Sequence, residues 1–132
     1  MRAFIIALAG AGVLALSGVS PAAQISSPMV FGNVSQDRAE CVVVNGGTAP
    51  LTVTLKIVDE AGATKVTSNC DGSIPAGDFC DLIMPVGFVG AFSCTATAPS
   101  VTNLRGALVL EDKVLDSFGL FQFRAIRSEQ LR

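Results

Sequence analysis

An all-β fold, two antiparallel sheets packed as a sandwich, is what this sequence predicts, on three observations. Short runs of β-branched and apolar residues recur between Gly, Pro, Asn and Asp turn signals. Several of those runs alternate apolar and polar residues, as half-buried strands do. No window before residue 111 carries the 3.6-residue period of an amphipathic helix. The chain has 132 residues, half of them apolar, which suffices for one small domain with its own core and is too little for two.

Residues 1–23 read separately from the rest. Met1-Arg2 opens a stretch that is apolar and uncharged from Ala3 to Leu16, and small residues and a proline follow from Ser17 to Ala23. This is the order of a secretory signal peptide, and the apolar run is shorter than the roughly 20 residues a spanning helix needs. Cleavage after Ala22 sets Ser20 and Ala22 at the two small positions. Leu16-Ser17-Gly18-Val19 approaches a bacterial lipoprotein box, but Val19 stands where the lipidated cysteine belongs. The expectation is a secreted or periplasmic product with no membrane span after cleavage.

Residues 24–37 read as a linker feeding a first strand at Met29-Val30-Phe31. The sandwich itself is expected over residues 38–126, with 127–132 as a tail. Ala39 to Asn45 contains Cys41-Val42-Val43-Val44 and stops at Gly46-Gly47. Leu51 to Val58 sets Leu51, Val53, Leu55 and Ile57 on one face, and Asp59 to Gly62 supplies the turn into Thr64 to Ser68. Asp71-Gly72 and Pro75 to Asp78 are two further turn signals ahead of Phe79 to Met84. Gly90 to Thr97 points Phe92, Cys94 and Ala96 the same way, and Ala98-Pro99-Ser100 breaks the run. Leu104 to Leu110 is the next strand, and Glu111-Asp112-Lys113 reads as a hairpin turn into Val114-Leu115. The stretch beyond fits a helix face or a strand face. Gly119 costs a helix about 1 kcal/mol and phenylalanine favours strands, so a strand is expected there.

Cys41, Cys70, Cys80 and Cys94 all follow the export segment and are even in number, which reads as two disulfides. Close C-x-x-C pairs and histidines, the marks of a metal site, are both lacking. Three pairings are possible. The strand map favours Cys41–Cys94 across the core with Cys70–Cys80 closing the irregular loop, an immunoglobulin-like arrangement. The core tryptophan of immunoglobulin domains has no counterpart, only Leu55 or Ile57.

Taken together, Cys41-Val42-Val43-Val44-Asn45, the alternating strand from Thr52 to Asp59, Ala76-Gly77-Asp78-Phe79-Cys80, Ala91-Phe92-Ser93-Cys94 and Leu104-Arg105-Gly106-Ala107-Leu108 resemble a group of small exported bacterial β-sandwich proteins without assigned activity. The resemblance covers about residues 38–116. It implies the fold and no catalytic residue.

Composition narrows the function. A net charge of −2 leaves no electrostatic footprint for nucleic acid. Without histidine the commonest general base is missing, and neither S-x-x-K nor G-x-S-x-G occurs. With no Trp or Tyr, stacking on sugars or bases falls to phenylalanines that the core needs. The reading is a protein that is not an enzyme and carries no cofactor: a binding or cell-envelope structural module, or alternatively a pilin-like subunit exchanging residues 114–126. Two clusters are candidates for contact. Asn69, Asp71, Asp78 and Asp81 offer oxygen ligands for a cation, though Asp and Asn beside Gly are also ordinary turn formers. Leu120, Phe121, Phe123 and Ile126 offer an apolar edge for a protein partner.

Overall fold

The computed structural model describes residues 22–32, 36–86, 89–115, 118 and 121–132. The signal-peptide reading therefore falls mostly outside the described residues. Among those described, the chain forms nine strands: β1 (Ala23–Ser26), β2 (Val30–Gly32), β3 (Arg38–Asn45), β4 (Thr54–Asp59), β5 (Thr64–Ser68), β6 (Phe79–Pro85), β7 (Gly90–Ala98), β8 (Leu104–Leu115) and β9 (Phe121–Gln130). One antiparallel sheet runs β1-β7-β4-β5, with β2 also on β7; the other runs β6-β3-β8-β9. No described helix is long and apolar enough to cross a membrane.

The alternation visible in the sequence is the alternation of the core. Leu55 and Ile57 of β4, with Val53 just ahead of it, and Phe92, Cys94 and Ala96 of β7 pack in one core with Cys41, Val43, Leu108 and Leu110 of the second sheet, all without exposed surface. Both disulfides form as expected, Cys41–Cys94 between β3 and β7 and Cys70–Cys80 between the segment after β5 and β6. The first closes a loop with a sequence separation of 53, which the chain-entropy model values at about 4 kcal/mol. The strand order is not the immunoglobulin one. There the opening strand shares a sheet with the first cysteine strand, whereas β1 and β2 lie beside the second cysteine strand, β7.

Four boundaries differ from the sequence expectation. The strand expected from Leu51 begins at Thr54, and Leu51 forms an isolated bridge with Ile74. The first strand expected at Met29-Val30-Phe31 forms as β2, and a further strand, β1, forms ahead of it where the sequence reads as a linker. β1 pairs with Thr95 to Ala98 and β2 with Gly90 to Phe92, and Ser27 bridges the break: its N–H donates to the Cys94 carbonyl (2.8 Å) and its Oγ accepts the Cys94 N–H (3.0 Å). Glu111-Asp112-Lys113 is not a turn. Glu111 lies opposite Arg38 of β3 and pairs with its guanidinium, and from Glu111 to Leu115 β8 stays in register with Ala125 to Phe121 of β9, so the strand continues through the three charged residues. Residues 127–132 are not a tail. They complete β9, bury Leu131, and return Arg132 to β1 through reciprocal backbone hydrogen bonds with Ser26 (3.0 and 3.1 Å).

Close packing of β3 on β8 depends on Gly106. A Cβ added there would sit 2.5 Å from the Val42 carbonyl oxygen and 2.7 Å from Val43 Cγ1, and the first of these is backbone that cannot swing aside. Gly106→Ala should therefore destabilise the domain by about 3 kcal/mol, read as a lower denaturation midpoint with both disulfides intact.

Candidate functional site

Three sheet-to-sheet connections meet at one end of the sandwich: residues 46–53 after β3, 69–78 after β5 and 99–103 after β7. Asn45, the last residue of β3, organises that end. It is 1% exposed, and its Nδ2 donates to the carbonyls of Ala49 (2.8 Å), Ile74 (3.0 Å) and Pro75 (3.3 Å). Its Oδ1 accepts the Gly47 N–H (3.0 Å). The Asn45 backbone adds two bonds, donating to Asp78 (2.9 Å) and accepting from Gly77 (2.8 Å). Leu51 and Ile74 exchange a further pair of backbone bonds at 2.9 Å. One amide thus supplies the donor to the Ala49 carbonyl and a second donor to the Ile74 and Pro75 carbonyls, which also accept the N–H groups of Leu51 and Asp78. From sequence Asn45 reads only as a strand terminator before Gly46-Gly47. That its side chain turns inward depends on contacts 29 and 30 residues away.

Beside this hub lies an open cleft of about 280 Å³ lined by the Cys70–Cys80 bridge, Asp71, Asp78, Asp81 and the ring of Phe79. The structure thus brings together three of the four predicted oxygen donors. Asn69 is not on the lining; its carbonyl accepts the Gly72 N–H (3.0 Å), and Asp78 Oδ1 accepts the Phe79 N–H (2.8 Å). Among the described residues no group of three acidic, cysteine or histidine side chains is placed to hold a metal ion. The backbone here is unusual: Cys70 and Asp71 both adopt φ of 52°, and Gly72 follows at 96°. Three left-handed residues in succession, two of them not glycine, form a turn that the bridge holds.

The second predicted cluster is placed in part. Leu120 lies outside the described residues. Phe121 and Phe123 lie on β9 opposite Leu115 and Lys113, and Ile126 occupies the register shift between the Leu110–Arg127 and Glu111–Ala125 pairs. β9 is an outer strand of its sheet, and the β8–β9 ribbon continues beyond the last β3 pair at Arg38–Glu111.

On the outer face of the second sheet, Arg38 donates from Nε to Glu111 and lies 3.4 Å from Glu40. Burial, and next the Glu111 carboxylate, push the Glu40 carboxyl above its usual range; Arg38 opposes this and Asp81 adds to it. In the turn after β4, the Lys65 ammonium and the N–H groups of Ala63 and Ala61 hold the Asp59 carboxyl below its usual range.

No family model matches the chain, and neither does any curated protein or solved structure.

Two measurements check these placements. Asn45→Ala takes the donor from the Ala49 carbonyl and cuts the side-chain ties to Ile74 and Pro75, and should cost about 2 kcal/mol. Asn45→Asp aims carboxylate oxygen at those carbonyls and should cost at least as much at pH 7; denaturant titration reads both. Because Glu40 binds its proton more tightly folded than unfolded, its ionisation lowers stability as pH rises through the carboxylate range. Glu40→Gln should therefore raise the melting temperature at pH 7, with the gain vanishing below about pH 4.

Proposed function

We propose that this protein is an exported, non-catalytic binding or cell-envelope module that presents the loop end organised by Asn45 as its contact surface. The observation that carries the reading is the bracing of that end by hydrogen bonds and a disulfide. Asn45 ties the 46–53 and 69–78 connections to β3 with side-chain and backbone hydrogen bonds, and the Cys70–Cys80 bridge clamps the second of them. Loops held in one conformation lose little entropy on binding, and a rigid β scaffold displaying loops is a common plan for recognition. Thr48, Ser100 and Asn103 line a shallow groove of about 200 Å³ there, so the surface offers hydroxyl and amide groups to a polar partner.

Export is supported by the order of residues 1–22, by cysteines all paired in disulfides, and by the start of β1 at Ala23. Cleavage after Ala22 leaves Ala23 free to pair with Ala98.

The test compares the wild-type protein with a Thr48→Arg/Ser100→Arg variant and with a control at the opposite end, Glu60→Arg. Each is purified from the exported fraction of expressing cells and used to capture partners after crosslinking. A partner lost with the loop variant and kept with the control supports the loop surface. Equal capture by all three, or recovery of the protein from the cytoplasm with reduced cysteines, overturns the reading.

A second reading, an assembling subunit, draws on the β8–β9 ribbon extending past β3. Light scattering separates the two: replacing residues 114–122 by a tight turn should leave a monomer unchanged and should dissociate an assembly.

A further inference from the structure

We propose that the Cys70–Cys80 disulfide is a thiol–disulfide exchange site, attacked at Cys80 and selective for thiols carrying positive charge, whose opening loosens residues 69–73 without opening the sandwich. The two bridges of this protein are unlike in access. Cys41 and Cys94 have no exposed surface, and a nucleophile reaches them only by unfolding the core. Cys70 and Cys80 both line the open cleft; Cys70 is 7% exposed and Cys80 is more exposed than that. Exchange proceeds by attack of a thiolate on an accessible sulfur, so Cys80 Sγ is the one approached.

The backbone adds a driving force. The left-handed conformations of Cys70 and Asp71 are costly for residues with a Cβ, and they persist because the bridge draws the chain back to β6. Breaking the bridge releases them. The release stays local, because Leu51 and Ile74 pair on the far side of the turn and Asn45 holds Ile74, Pro75, Gly77 and Asp78. The buried bridge and the rest of the core are untouched.

The chemistry balances with the reductant as a thiol. Its thiolate bonds to Cys80 Sγ, the Cys70–Cys80 bond breaks, and Cys70 leaves as a thiolate that takes a proton from solvent. A second thiol group then cleaves the mixed disulfide, freeing Cys80 as a thiol while the reductant becomes its own disulfide. The cleft selects among donors by charge. Asp71, Asp78 and Asp81 line it and, among the described residues, no cationic side chain does, so an anionic thiol is repelled and a donor with a neighbouring cation is favoured.

The folded, oxidised protein tests this with two monothiols: cysteamine, whose thiolate form has no net charge, and 2-mercaptoethanesulfonate, whose thiolate form carries two negative charges. After each exposure the protein is alkylated and its cysteines are mapped by mass spectrometry, with rates corrected for thiolate concentration. The expected result is a mixed disulfide on Cys80, labelling of Cys70 before any of Cys41 or Cys94, and unchanged β circular dichroism. Cysteamine should react about tenfold faster at low ionic strength. High salt, or the combined Asp71→Asn, Asp78→Asn and Asp81→Asn changes, should abolish that preference. Amide exchange at Cys70 and Gly72 should rise on opening while β3 and β7 stay protected. Labelling of all four cysteines together, adducts on Cys70 instead of Cys80, or equal rates for the two thiols would overturn the proposal.

Discussion

The Cys41–Cys94 bridge joins an inner strand of one sheet to an inner strand of the other, β3 and β7. Both strands are flanked on each side by partners, so the register of the remaining strands follows from theirs. Cys41 stands opposite Leu82 on β6 and Leu108 on β8; Cys94 stands opposite Ile57 on β4 and is met by Ser27 from the edge. Large aliphatic side chains therefore surround the bond and keep water from it. In a domain this small the hydrophobic core by itself confers limited stability, and the covalent link removes much of the unfolded chain's freedom.

A sandwich has two open sides, and this one closes them by different means. On the side of β5 and β6 the closure is covalent, through Cys70–Cys80. Opposite, where β1 faces the end of β9, it is the reciprocal pair of backbone hydrogen bonds between Arg132 and Ser26, with Leu131 buried and held to β8 by its N–H to the Gly106 carbonyl at 2.9 Å. Edge strands otherwise present unpaired backbone groups to other chains. Here parts of each outer edge are engaged by the chain itself.

That placement connects the fold to the chemistry of the loop end. Asn45 is in position because β3 is in position, and the left-handed turn at Cys70 to Gly72 is in position because β5 and β6 are. One connection is thereby held twice, by an amide hub at residues 74–78 and by a disulfide at residues 70 and 80. The two constraints differ in kind, since hydrogen bonds re-form spontaneously and a disulfide answers to thiols.

The strands from Arg38 to Leu110, the inward set Phe92, Cys94 and Ala96, and the pairing of the four cysteines were all legible in the chain itself. Period-two alternation states which residues share a face before any partner is known. The same local reading could not place charges or ends. Glu111, Asp112 and Lys113 look like a turn until the opposing strands β3 and β9 are seen, and Leu131 looks like part of a tail until its burial is. Asn45 looks like any strand-ending asparagine. Each of those assignments rests on residues far along the chain, brought near by sheet pairing. Local pattern therefore determined the strands and their faces, and only tertiary contact decided the strand order, the closed edges and the hub of the loop end.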